Sequence, residues 1–178
     1  MRISLAIATA IWLAGSVPAF AIDFADPSGD RHARNEFEIG VDLVRNGKYV
    51  DATPHLETAL TKFPDDVSIL KYLGFSHRMI AKDRTGTSHA GELRLAGAYY
   101  MRALDEEPDN RDFLQYMGEL YLEMDDPSAA HAKMAALEKR CPEGCAQRDA
   151  LAHAIADYVP PKPDAVPPPG SLSSDVTH

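Results

Sequence analysis

From about residue 33 to residue 158 the apolar positions recur at steps of three and four, as in Leu151, Ile155 and Tyr158, with polar residues between them. That period belongs to a helix with one buried face, and the alternation of β-branched residues that would mark strands is scarce. Turn signals interrupt the pattern at "NGKY", "FPDD", "EEPDN" and "MDDPS". The spacing predicts an all-α chain with helices at about 33–46, 49–62, 66–81, 90–106, 110–124, 128–140 and 146–158. Asp65-Asp66 and Asp109-Asn110 follow two of the breaks and supply side-chain acceptors to cap the next helix.

A longer period runs beneath the helical one. Three glycines stand in similar settings, Ile39-Gly40, Leu73-Gly74 and Met117-Gly118, spaced 34 and then 44 residues apart. Three prolines close helical segments at Pro64, Pro108 and Pro142, spaced 44 and then 34. The extra ten residues fall in both long intervals, so they lie where these overlap, between Gly74 and Pro108. Three units of 34 residues result, at about 33–65, 66–109 and 110–142, and the middle one carries an insertion at 82–91. The inserted "KDRTGTSHAG" is polar, contains Gly86 and Gly91, and is expected to be a solvated loop. Gly40, Gly74 and Gly118 are expected to let the second helix of each unit pack close on the first. Ala52, Ala96 and Ala130 do the same from the other side, since small residues on helices cost stability unless contact offsets them.

In its first unit the chain reads Ile39-Gly40-x-x-Leu43, Gly47-x-Tyr49-x-x-Ala52, Leu56, Ala59-Leu60 and Pro64. The second gives Leu70, Leu73-Gly74, His77, Ala96, Tyr100, Ala103-Leu104 and Pro108, and the third Leu114, Met117-Gly118, Tyr121, Ala130, Met134, Leu137 and Pro142. With its 34-residue helix–turn–helix period, this resembles the tetratricopeptide repeat family across residues 33–142. Glu36 departs from the family pattern, standing where a large apolar residue is usual. The resemblance implies a right-handed solenoid of three helical hairpins, with the helix at 146–158 as the cap over the apolar face of the last unit.

The resemblance also implies a concave groove lined by the first helix of each unit, taking a protein or peptide segment as partner. Its positions here would include Arg34, Phe37, Glu38, Val41 and Arg45, then Lys71, Tyr72, Phe75 and Arg78, then Gln115, Tyr116, Glu119 and Glu123. Four aromatics among them suit a binding surface better than packing alone, because aromatic and Arg side chains are common anchors. Arg34, Arg45, Lys71 and Arg78 come early and Asp112, Glu119 and Glu123 late, a gradient expected to orient a partner. Chaperone-binding members grip a terminal carboxylate at two positions held here by Phe37 and Val41, so that activity is not implied.

Composition narrows the partner. The formal net charge is −9, and it becomes −10 once Arg2 leaves with an N-terminal signal, a field that repels phosphate backbones and argues against nucleic acid. The opening "MRISLAIATAIWLAGSVPAFA" has Arg2, an apolar run and a small-x-small Ala19-Phe20-Ala21 site, so residues 1–21 are expected to be a cleaved signal peptide. Residues 22–32 would be a lead-in, the mature protein periplasmic or secreted, and no membrane span is expected to remain. At the other end residues 159–178, "VPPKPDAVPPPGSLSSDVTH", hold six prolines and little to bury, as a disordered spacer would.

Candidate chemistry is sparse. No phosphate-cradling glycine loop, glycine-flanked nucleophilic serine or His-Glu-x-x-His zinc pattern is present, so a catalytic role, a metal centre and a cofactor are all not expected. The two cysteines stand together in "CPEGC", Cys141 to Cys145. An exported chain favours their oxidation to a disulfide fastening the cap helix to the last unit. The other reading is a thiol-redox or copper site, with Met134, His131 and His153 as neighbours and sulfur ligands suited to Cu(I). The end of the chain also resembles a group of exported bacterial tetratricopeptide proteins with a Cys-x-x-x-Cys turn before a capping helix. That likeness implies a periplasmic protein and names no activity.

Overall fold

The structure, a computed structural model, describes residues 27–161. The expected signal peptide at 1–21 and all but the first three residues of the proline-rich tail lie outside them. Seven helices fill the described chain, with no strand among its residues: α1 (Pro27–Arg45), α2 (Tyr49–Lys62), α3 (Val67–Lys82), α4 (Gly86–Glu106), α5 (Arg111–Glu123), α6 (Pro127–Arg140) and α7 (Ala146–Asp157). Residues 46–48, 83–85 and 124–126 link α1 to α2, α3 to α4 and α5 to α6. Links this short turn the chain back on itself, and these helices pack as pairs. Four-residue links join one pair to the next, so α2 meets α3 and α4 meets α5, while α7 closes on both α5 and α6.

Local chemistry explains the helix ends. Asp66 accepts from the amides of Ser68 and Ile69 at 2.8 and 3.1 Å, and Asn110 from Asp112 and Phe113 at 3.0 and 3.4 Å. Asp126 caps α6 through Ala129 N at 2.9 Å, with Pro127 at the first helical position where a missing N–H costs nothing. Pro54 lies inside α2 and cannot donate to the Val50 carbonyl. The Thr53 hydroxyl donates to that carbonyl instead, at 3.0 Å. Gly47 turns α1 into α2 with φ +72°, a conformation that strains a side-chain-bearing residue.

The core is three linked clusters. Val44, Ala52, Leu56, Ala59, Ile69 and Leu73 fill the first. Leu70, Leu93, Ala96, Tyr100, Phe113 and Leu120 are central to the second, and Leu114, Leu137 and Leu151 form the third. Leu60 and Tyr99 touch the first two clusters, and Leu104 touches the last two.

Three expectations are corrected. The insertion at 82–91 is a loop only to Thr85, because α4 begins at Gly86 and runs to Glu106. Two polar side chains of the inserted stretch and its margin find partners on α3. His89 Nδ1 lies 2.8 Å from the Ala81 carbonyl, and Glu92 lies 2.7 Å from His77 Nδ1. The first helix starts at Pro27 rather than near 33, and Asp30 in its first turn meets Lys62 of α2 at 3.3 Å. The third glycine is covered differently from the others. A Cβ on Gly40 would meet Leu56 at 2.7 Å and one on Gly74 would meet Tyr100 at 2.4 Å, both on the second helix of the pair. On Gly118 it would meet Leu151 of α7 at 2.5 Å, so the seventh helix covers that glycine.

Candidate functional site

α1, α3 and α5 share a face, which follows from the contacts that join them. Phe37 of α1 meets Tyr72 of α3 edge-on at 5.9 Å between ring centroids. Arg78 of α3 reaches α5, where its Nε lies 3.0 Å from both Glu123 oxygens and its Nη1 lies 2.8 Å from Glu119 Oε2. Gln115 Nε2 donates to the other Glu119 oxygen at 2.7 Å. Burial opposes the Arg78 charge, yet the hydrogen bonds and charges of Glu123 and then Glu119 outweigh it and hold the guanidinium above its ordinary value.

The aromatics on this face are half-buried. Phe75 meets Tyr49 of α2 at 5.8 Å, and Tyr116 lies 5.6 Å from Tyr100 and 6.1 Å from Phe113. Lys71 Nζ sits 5.3 Å over the Tyr72 ring, a cation–π contact. Burial, then the charges of Asp112 and Glu119, push the Tyr116 phenol up. Each ring therefore offers one side to a neighbouring helix and another to solvent. Arg34 and Glu38 are exposed beside Phe37, and a cavity of about 260 Å3 opens between Arg34, Phe37, Phe63, Asp66 and Ile69.

Two features differ from expectation. Val41 is only 7% exposed and belongs to the core rather than to the surface. The basic-to-acidic gradient is largely internally neutralised, because Arg78 is paired with Glu119 and Glu123, and Arg45 lies 3.4 Å from Asp42. Asp112 accepts from Gln147 of α7 at 2.7 Å. The pairings of Arg78 and Asp112 join residues far apart in the chain, which a scan along one helix does not register, whereas Arg45 and Asp42 are neighbours on α1.

A second set of polar contacts lies between paired helices. Glu36 stands 2.6 Å from His55 Nδ1, linking α1 to α2, and Glu92 with His77 links α4 to α3. His77 also stacks on Tyr99 at 5.6 Å, and its Nε2 is buried without a hydrogen-bond partner. Glu36 had a detectable signal, since it replaces an apolar residue in the repeat pattern and therefore needs a polar partner nearby.

Cys141 and Cys145 lie at disulfide distance, with 6.0 Å between their Cα atoms. Arg148 donates to the carbonyls of Cys141 and Pro142 at 3.3 and 3.1 Å, bracing the turn that the bond closes. Among the described residues no three His, Cys, Asp or Glu side chains come together as a metal-binding group. No helix among them is long and apolar enough to cross a membrane. No protein-family model matches the chain, and no curated protein matches its sequence.

Proposed function

We propose that this is an exported, non-catalytic adaptor of tetratricopeptide type that holds a protein or peptide segment on the face formed by α1, α3 and α5. The observation that carries the reading is the continuity of that face. Phe37, Tyr72, Phe75 and Tyr116 stand half-exposed along it, with Arg34, Glu38 and Lys71 at hand for polar contacts. Half-buried rings are held by their neighbours, so a partner gains apolar contact without ordering them, and such preorganised aromatics are efficient anchors. The three helix pairs and their repeated links support the tetratricopeptide comparison, and the Ala19-Phe20-Ala21 pattern supports export to the periplasm. A disulfide between Cys141 and Cys145 suits the same compartment.

The test is a peptide selected by display against the purified chain and then titrated. Tyr72→Ala with Phe75→Ala is expected to weaken it at least ten-fold while the helical circular dichroism persists. Ala substitutions at exposed Glu57 and Glu106, on α2 and α4, are expected to leave the affinity unchanged. Equal loss from both pairs would remove the assignment of this face.

A further inference from the structure

We propose that Cys141–Cys145 is an exchangeable bond, which an external dithiol reduces in the folded protein by attack on Cys145, and that its redox state sets how often α7 lifts off α5 and α6. The α1/α3/α5 face plays no part in this. The two sulfurs differ in access. Cys141 is 6% exposed and ends α6, whereas Cys145 is half-buried and begins α7, close to the exposed Pro142 and Glu143. Thiol–disulfide exchange goes through the sulfur that a thiolate can reach, which here is Cys145 Sγ. Charge favours the same approach. Arg148 Nη2 lies 3.0 Å from the position a Cβ would take on Gly144, so a guanidinium covers the turn next to Cys145.

The exchange moves two electrons. A thiolate of the dithiol bonds to Cys145 Sγ, the Cys141–Cys145 bond breaks, and its electron pair leaves on Cys141 Sγ, which takes up a proton from water. The second thiolate of the dithiol then attacks its own partner sulfur in the mixed disulfide, which frees Cys145 as a thiolate and leaves the dithiol oxidised. Both products have a place. Cys141 Sγ lies 3.1 Å from the Leu137 carbonyl, to which an S–H donates. Cys145 is the N-cap of α7, and among the described residues no side chain caps that helix, so its first amides are open to a sulfur anion. Arg148, bonded to the carbonyls of Cys141 and Pro142, keeps the turn in a shape from which the bond re-forms.

α7 is the element that responds. It has one buried residue among those described, Leu151, against six in α5 and eight in α3. Beyond the turn its polar ties are Gln147 to Asp112 at 2.7 Å and the adjoining Tyr158 to Asp125 at 3.4 Å. Elements with so few buried groups open at the low end of a protein's stability range. While the bond is intact, the turn stays closed even when α7 opens. Reduction restores the turn's freedom in the open form and multiplies that population on the order of thirty-fold. Each opening takes Leu151 off Gly118, Leu114 and Leu137.

The experiment uses the full chain and two single variants. Cys141→Ser leaves Cys145 and Cys145→Ser leaves Cys141, and both lack the bond, so their reaction with a chromogenic aryl disulfide compares access alone. Cys145 is expected to react about ten-fold faster or more, and equal rates or the reverse order would overturn its assignment as the attacked sulfur. In the unsubstituted chain at neutral pH, dithiothreitol is expected to reduce the bond at a rate that low urea leaves unchanged. A rate that follows the unfolded fraction overturns reduction in the folded protein. Thioredoxin replacing dithiothreitol at equal thiol concentration tells a protein dithiol, if it is the faster, from a small-molecule one, and reduction of the folded chain by either supports the site. In the reduced chain the α7 amides are expected to exchange hydrogen about thirty-fold faster while those of α1 to α4 keep their rates. Unchanged exchange in α7, or acceleration in every helix, overturns the control of α7 by this bond.

Discussion

A Cβ on Gly74 would stand 2.4 Å from Tyr100 Cε1, whereas one on Gly97 would meet Leu120 Cδ2 at 3.3 Å. Both glycines are helical and buried, so alanine brings each the same propensity gain of about 1 kcal/mol. Only at Gly74 must a fully buried ring move. Gly74→Ala is therefore expected to lose about 1–2 kcal/mol net, and Gly97→Ala to be neutral or slightly stabilising. Urea midpoints at unchanged m-value separate the two, and equal stabilities would show that the glycine register is not a packing requirement. Tyr100 itself sets an alkaline limit. Burial pushes its phenol up, with Arg78 acting the other way and Tyr116, Glu123 and Glu119 adding to the rise. The unfolded phenol ionises near pH 10, so the folded state loses nothing below that pH. Above it the unfolded chain sheds a proton that the native one keeps, and stability falls by up to about 1.4 kcal/mol per pH unit. Tyr99 and Tyr116 are shifted in the same direction, chiefly by burial. Tyr100→Phe is expected to flatten the decline between pH 10 and 11.5 by its own share, read from urea titrations at each pH. An unchanged slope would mean that this phenol does not carry the loss.

At the scale of elements, α7 is held in two ways that can be separated. Leu151 is fully buried against Leu114 and Leu137 and over Gly118, while the Cys141–Cys145 bond closes the turn from α6. On the chain-entropy argument a five-residue loop contributes about 2 kcal/mol. Cys141→Ser with Cys145→Ser is expected to cost that amount in urea unfolding, with faster hydrogen exchange confined to α7 and the end of α6. Leu151→Ala should cost about 2–5 kcal/mol, because it also leaves a cavity above Gly118. Exchange accelerated throughout the chain by the cysteine pair alone would refute the local role of the bond. Five of the seven helices, α2, α3, α5, α6 and α7, were legible to within a residue at each end, since the apolar period and the turn residues act through short-range geometry, whereas α1 and α4 both start earlier than expected, at Pro27 and Gly86. The start of α4 is hidden in the sequence because polarity between 82 and 91 has the composition of a solvated loop. His89 and Glu92 are polar for another reason, since they bond to α3. The cover of Gly118 was hidden too, because Leu151 and Met134 are both apolar at plausible spacings and only the approach of α7 selects Leu151.

Across the whole molecule, the residues of the candidate site were legible as a face, and their pairing was not. Steps of three and four placed Phe37, Tyr72, Phe75 and Tyr116 on first helices, but ion pairing depends on how far apart those helices settle. That distance puts Arg78 between Glu119 and Glu123, with side chains 13%, 20% and 30% exposed. The bracket spans α3 and α5, which belong to different helix pairs, and it lies on the same face as the aromatics. Removing the guanidinium leaves two carboxylates facing one another in a partly dry cleft. Breaking a fully buried pair costs about 3–5 kcal/mol, and the solvent that reaches these groups reduces that, so Arg78→Ala is expected to lose about 1–3 kcal/mol. The loss should shrink when Glu119→Gln and Glu123→Gln are added, because the orphaned charges are then gone. A double-mutant cycle on urea stabilities measures that difference, and additivity of the changes would show that the three groups do not act as a bracket. The same variants tell fold from function. If the bracket only sets the separation of α3 and α5, the triple variant restores stability and peptide affinity together, whereas restored stability with affinity still lost places Arg78 or its carboxylates in contact with the partner.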